Sequence, residues 1–174
     1  MPELAAPNST VQLQTVSPAA KEAATMILEH YSKQPLGEVR PAVQSALPDH
    51  KPQGLWLSVR GARDWPEWCR DERWNLSALK HCATFQLAAG ANVLHLTTPA
   101  EIDTFHVEHS VAHNPAMPSY REIAWAQVAK QYDGIIIAPY SYARRLDRRT
   151  IWYYGWDCAS AAIWHPRAIE RIDQ

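Results

Sequence analysis

An α+β fold, built on a small, bent and mostly antiparallel β-sheet with short flanking helices, is what this sequence predicts, and three observations carry the prediction. Apolar runs of strand length, such as Gly54-Leu55-Trp56-Leu57-Ser58 and Ile135-Ile136-Ile137-Ala138, are bounded by Gly, Pro, Asn or Asp. Helical signatures are few and short. The two kinds of element follow one another without the strict β-α-β alternation that a doubly wound parallel sheet needs.

The length of 174 residues fits one domain and is enough to bury a core without cross-links. A charged fraction of 20% and a net charge of -1 leave no global pull toward nucleic acid or membrane, so any such attraction has to be local. The three cysteines, Cys69, Cys82 and Cys158, are odd in number and lack C-x-x-C spacing, which argues against a disulfide scaffold and for a reducing compartment. No apolar run approaches a membrane span, and the N-terminus lacks the basic and apolar regions of a signal peptide. The expected location is therefore the cytoplasm, or the outside of the cell by a route without a cleaved signal.

Residues 1–22 are rich in Ala, Ser, Thr, Pro and Gln and read as a flexible tail, either a secretion address or a segment without function. Residues 23–174 read as a single domain, with order beginning near Ala23 or Thr25. Met26 to Ser32 gives a strand in its second half, broken off by Pro35. Pro41 to Pro48 reads as a short amphipathic helix, and Asp49 to Gln53 as a turn into the strand Gly54–Ser58. Asp64 caps a helix with Pro66 in its first turn and Glu67 three residues on. Phe85–Ala88 and Val93–Leu96 are strands joined by a turn at Gly90.

Thr98 then caps a helix with Pro99 first and Ile102 and Phe105 inward. Asn114 to Pro118 is a loop. Ile123 to Gln131 repeats apolar residues at helical spacing, with Trp125, Val128 and Ala129 inward, and Tyr132-Asp133-Gly134 ends it before the strand Ile135–Ala138. Arg144 to Arg149 is a basic loop, Ile151–Tyr154 and Ala159–Trp164 are strands, and Pro166 to Ile172 is a short ending. No internal repeat is present.

Eight tryptophans exceed the need of one small core and come in two bursts, Trp56 with Trp65 and Trp68, and Trp152 with Trp156. A flat ring with a single donor is either a core filler or a wall on which another flat ring stacks. A strand and the helix after it can set Trp56 opposite Trp65 or Trp68 and clamp a planar group; the same rings could simply pin helix to sheet. Trp74, Trp125 and Trp164 are assigned to packing. His30-Tyr31-Ser32 ends a strand, where a histidine can donate to a ligand hydroxyl or sit half-exposed without a task. Asp157 is either a catalytic acid or a turn residue satisfying backbone N–H groups.

A strand ending in His-Tyr-Ser, then Gly-Leu-Trp-x-Ser and a helix with Trp-x-x-Trp-Cys, resembles the front half of the ADP-ribosyltransferase fold, in the diphtheria-toxin and poly-ADP-ribose polymerase branch. The resemblance covers roughly residues 26–74 in detail. It implies a split β-sandwich, a catalytic-like domain, and NAD as substrate, with His30 on a ribose and Tyr31, Ser32, Trp56, Ser58, Trp65, Trp68 and Ser160 around the cofactor. The branch places a late carboxylate, usually glutamate, beside the ribose to stabilise positive charge as nicotinamide leaves; Asp157 is the stand-in, on a shorter arm. The implied activity is ADP-ribosyl transfer to a protein or nucleic-acid acceptor, as in bacterial toxins and effectors, or NAD hydrolysis when water is the acceptor.

Two further readings stay open. One is a non-catalytic module that uses the same aromatic cleft to bind a nucleotide, RNA or protein. The other is a metal-dependent hydrolase built on His106, His109 and His113, which fall on one side if the stretch is helical; a solvated polar face is the alternative, and no metal is assigned. Arg144, Arg145, Arg148 and Arg149 could bind phosphate, or form a solvated loop. Cys69 and Cys158 have no base near them in sequence to make either a nucleophile.

Overall fold

The computed structural model describes residues 26–61, 63–114 and 116–173, so the tail expected over 1–22 lies outside the described residues. Among those described, seven strands form one sheet in the order β4-β7-β8-β2-β1-β3-β9: β1 (Leu28–Ser32), β2 (Leu55–Val59), β3 (His81–Leu87), β4 (Val93–Leu96), β7 (Gly134–Ile137), β8 (Ser160–Ile163) and β9 (Ile169–Arg171). β4 runs parallel to β7, and the remaining pairings in the sheet are antiparallel. A separate hairpin joins β5 (Ser110–Asn114) to β6 (Met117–Ile123). The expected α+β class with a bent, mostly antiparallel sheet is what forms.

The joint between β1 and β2 decides where a ligand can enter. β1 pairs with β3 along its whole length, Leu28↔Phe85 to Ser32↔His81, and β2 pairs with β8 from Leu55↔Ile163 to Ser58↔Ser160. Between β1 and β2 the ladder holds only Leu28↔Val59 and Glu29↔Ser58. Past that point the two strands part, and the sheet opens between them. Gly54 lets β2 start hard against β8: a Cβ there would lie 2.6 Å from the Ile163 carbonyl oxygen, and its φ of 154° is open to glycine.

Helices are short, as expected. α1 (Trp65–Asp71) starts where Asp64 accepts the Glu67 N–H at 3.0 Å, with Pro66 in the first turn. α2 (Pro99–His109) carries the full capping box: Thr98 Oγ1 accepts the Glu101 N–H at 3.2 Å, and the Glu101 carboxylate accepts the Thr98 N–H at 2.9 Å. Its buried residues Ile102 and Phe105 face the core, where Phe105 meets Trp125 at 5.8 Å and Trp152 at 5.4 Å between ring centres. Trp125 and Trp164 are buried, and each donates its N–H to a carbonyl, of Asp49 at 3.0 Å and Tyr132 at 2.6 Å. Among the described residues no helix is long and apolar enough to cross a membrane.

Four expected elements change. Pro41–Pro48 is not helical: Ala42 donates its N–H to the Trp164 carbonyl at 2.9 Å, and the Gln44 amide clamps both the N–H and C=O of Gln53. The Leu47 N–H goes to Ser45 Oγ at 3.1 Å, and Val43 (89% exposed) and Leu47 (75%) turn to solvent instead of forming an apolar face. The Asn114–Pro118 loop is the tip of the β5–β6 hairpin. The helix expected over Ile123–Gln131 shrinks to α3 (Trp125–Val128), because Ile123 belongs to β6 and is tied to Asp49 by paired backbone bonds of 3.1 Å. Ile151–Tyr154 is not a strand but part of a 3-10 segment, Arg148–Gly155, started by the Asp147 side chain on the Arg149 N–H; the run Thr150, Trp152, Tyr153 buries one side of it. The Arg144–Arg149 stretch accordingly spans that segment and the short α4 (Tyr142–Arg145).

Candidate functional site

A cleft of about 210 Å³ opens where β1 and β2 part. His30 and Tyr31 line it from β1, Trp56 and Ser58 from β2, and Trp65 from α1, while Asp157, just before β8, and Ser160, the first residue of β8, close it. Residues more than 120 positions apart reach one cavity because β8 is the neighbour of β2, which is the neighbour of β1. Ser32 and Trp68 do not line it. Ser32 turns its hydroxyl to the Gln34 carbonyl at 2.6 Å, just past the open end of β1.

His30 spans the opened seam. Its Nδ1 lies 2.9 Å from the Trp56 carbonyl oxygen, and since a carbonyl only accepts, Nδ1 carries the hydrogen. The bond stands where the β1–β2 ladder has ended, and it fixes the ring orientation. Nε2 has no protein partner among the described residues, so a lone pair remains for a ligand hydroxyl. Tyr31 is engaged differently: its hydroxyl donates to Glu29 at 2.9 Å, and burial, helped by that bond, pushes its pKa well up. Glu29 itself is buried and accepts two bonds from Arg60, at 2.8 and 2.5 Å. This carboxylate borders the cleft with both oxygens occupied.

The aromatic walls are rigid because rings back one another. Trp56 meets Trp156 edge to face at 4.7 Å, so the two sequence bursts touch. Trp65 and Trp68 stack at 5.0 Å with an interplanar angle of 12°, and Trp74 abuts both edge-on at 5.5 and 5.7 Å. Contacts of this kind contribute about 0.5–1.5 kcal/mol each beyond area. Trp74, assigned to packing, is therefore a brace for this pair, though half its surface stays in solvent. Ser58 Oγ accepts the Trp65 N–H at 2.8 Å and locks the start of α1 onto β2. Its oxygen thus positions Trp65. Trp68 lines an adjoining cavity of about 190 Å³ that shares Asp157 with the main cleft.

Asp157 stands between the two cavities, about a quarter exposed. No backbone N–H is bonded to it among the described residues, which removes the turn-capping reading. Burial pushes its pKa up, and Lys51 and Arg145 oppose that shift. The nearest cation, Arg145 Nη2, is 3.8 Å away, a longer approach than a hydrogen bond. Ser160 donates to the Cys158 carbonyl at 2.9 Å. Cys158 is buried, which raises its thiol to about 11, and burial raises Cys69 as well; neither is set up as a thiolate.

The histidine group does not converge. α2 ends at His109 and the chain turns into β5, so His113 leaves the helix face and pairs with Glu122, beside His50 and Tyr120. Burial lowers the pKa of both His106 and His109. Among the described residues no trio of His, Cys, Asp or Glu is placed to hold a metal. The arginine group is also divided, with Arg144 bidentate on Asp103 at 2.6 Å and Arg149 on Asp147 at 2.6 Å. Arg145 lines the adjoining cavity, with Trp68 and Asp157. Sequence reasoning missed Glu29, Lys51, Asn75 and Gly155 as lining residues; Glu29 carried a signal, as a carboxylate in an otherwise apolar strand start, while the others lie in turns without pattern.

Compared with known proteins, the chain matches no family model, no curated protein and no solved structure.

Proposed function

We propose that the chain is an ADP-ribosyltransferase of the split β-sandwich type that binds NAD in the cleft at the β1–β2 seam. The observation that supports this is the convergence of His30, Trp56, Trp65 and Asp157 on one cavity, from four separate stretches of sequence. Nicotinamide stacks against the tryptophan wall, and His30 Nε2 accepts from a ribose hydroxyl. A ring sandwiched this way contributes about 1–3 kcal/mol.

Asp157 sits where positive charge has to be stabilised. The C–N bond between ribose and nicotinamide breaks, and the ring leaves with the bonding pair. The ribose carbon becomes oxocarbenium-like, and the partly desolvated Asp157 carboxylate stabilises that charge more strongly than it would in water. An oxygen or nitrogen of the acceptor then attacks that carbon and loses its proton. The acceptor is a protein or nucleic acid, as for a toxin or effector, and water in its place gives hydrolysis.

A binding module without catalysis is the second reading. The raised pKa of Asp157 and its short arm favour it. Incubation with NAD labelled in the nicotinamide separates the two: the enzyme releases the label, and the module binds NAD and leaves it whole.

A further inference from the structure

We infer that Lys51 is the in-chain occupant of the Trp56 ring face, holding the place that the function proposed above gives to the ligand ring, and that the arriving ring displaces it. The ligand's name, the pyridinium of oxidised NAD, rests on the function proposed above; the subsite itself rests on geometry. The Lys51 ammonium lies over the Trp56 ring, 5.0 Å from its centroid. The lysine reaches that place by laying its stem along Gly155, where a Cβ would come within 2.9 Å of Lys51 Cε. Both Lys51 and Gly155 border the same cleft as Trp56 and Asp157.

Three features make the spot selective for a flat cation. The Trp56 face is already used as a cation platform, and the attraction comes from the negative face of the ring quadrupole. Trp156 fixes Trp56 edge-on at 4.7 Å, so the platform does not rotate away. Asp157 lies in the same cleft and is coupled electrostatically to Lys51, so removing the ammonium leaves a carboxylate that a new cation can neutralise. A pyridinium offers what a lysine cannot, a flat face for stacking together with the charge. Lys51 is an exposed side chain whose stem lies against Gly155, a residue without a side chain to hold it.

Calorimetric titration of the full chain with nicotinamide methylated on its ring nitrogen, a pyridinium cation, and with nicotinamide itself, its neutral relative, tests this. Lys51→Ala is expected to bind the cation about three- to tenfold more tightly than wild type, the range set by a competing cation–π contact. Gly155→Ala, whose new methyl pushes the lysine stem aside, is expected to shift affinity in the same direction, and Trp56→Ala to lose it. Neutral nicotinamide should not gain from Lys51→Ala. A cation affinity that is unchanged or weaker in Lys51→Ala, an equal gain for the neutral ring, or no cation binding to either protein overturns the inference. Parallel incubation with NAD keeps the two claims apart: a cation gain without NAD cleavage leaves the subsite standing and removes the enzyme.

Discussion

His30 and Asp157 show what one residue contributes that its neighbours cannot. His30 uses one ring nitrogen to bridge the Trp56 carbonyl and keeps the other for a ligand. The strand-end position was legible in the sequence, but the bridging bond was not, since it joins residues 26 positions apart. Asp157 was legible as an acid within an aromatic burst; its lack of backbone partners was not. The carboxyl carries a stability signature as well. Its folded pKa is raised by burial above the unfolded value near 3.9, so the stability it contributes is present below that value and is lost as pH rises through the folded pKa. At neutral pH the ionised group is a net cost. Asp157→Asn is therefore expected to raise the melting temperature at pH 7, with the gain fading toward pH 4 in a thermal-melt series. A lower melting temperature at pH 7 would return Asp157 to a structural role.

At the scale of elements, the strands that carry the site were readable and the segments around it were not. β2 and β7 declared themselves by apolar runs with turn residues at their ends, β1 by a short segment with a polar end broken off by Pro35, and α2 by its capping box. Pro41–Pro48 had helical spacing, but its Ala42 N–H is taken by the Trp164 carbonyl and its Gln44 side chain by the Gln53 backbone, and a partner as distant as Trp164 leaves no local trace in a sequence. Ile151–Tyr154 had strand-forming residues yet forms a 3-10 segment, because burying Trp152 and Tyr153 together outweighs β propensity. Among the described residues, one hydrogen bond links β2 to α1, from the Trp65 backbone N–H to Ser58 Oγ. Ser58→Ala should cost about 1 kcal/mol in urea unfolding and weaken ligand stacking on Trp65. Unchanged stability would mean that Asp64 and Pro66 fix α1 without it.

In the whole molecule, aromatic rings serve two tasks, and Tyr153 joins the two sets by touching both Trp152 and Trp156. Trp125, Trp152, Trp164 and Phe105 form a buried cluster, and at the seam Trp56, Trp65, Trp68 and the buried Trp156 build walls. Trp125→Ala should destabilise the fold by about 3–5 kcal/mol in equilibrium unfolding. Trp56→Ala, by contrast, should mainly cost ligand binding. The sheet order makes this division possible: it sets β1, β2 and β8 side by side, and it ends the β1–β2 ladder after two pairs so that a cleft opens between well-paired halves. The central claim is that this cleft cleaves NAD. Nicotinamide release from labelled NAD, followed for wild type, His30→Ala and Asp157→Ala with protein and nucleic-acid acceptors and with water alone, tests it most directly. Release by wild type that falls at least tenfold in both variants, the rate change of about 1.4 kcal/mol in the barrier, is the predicted result; no release by wild type under any acceptor would contradict it.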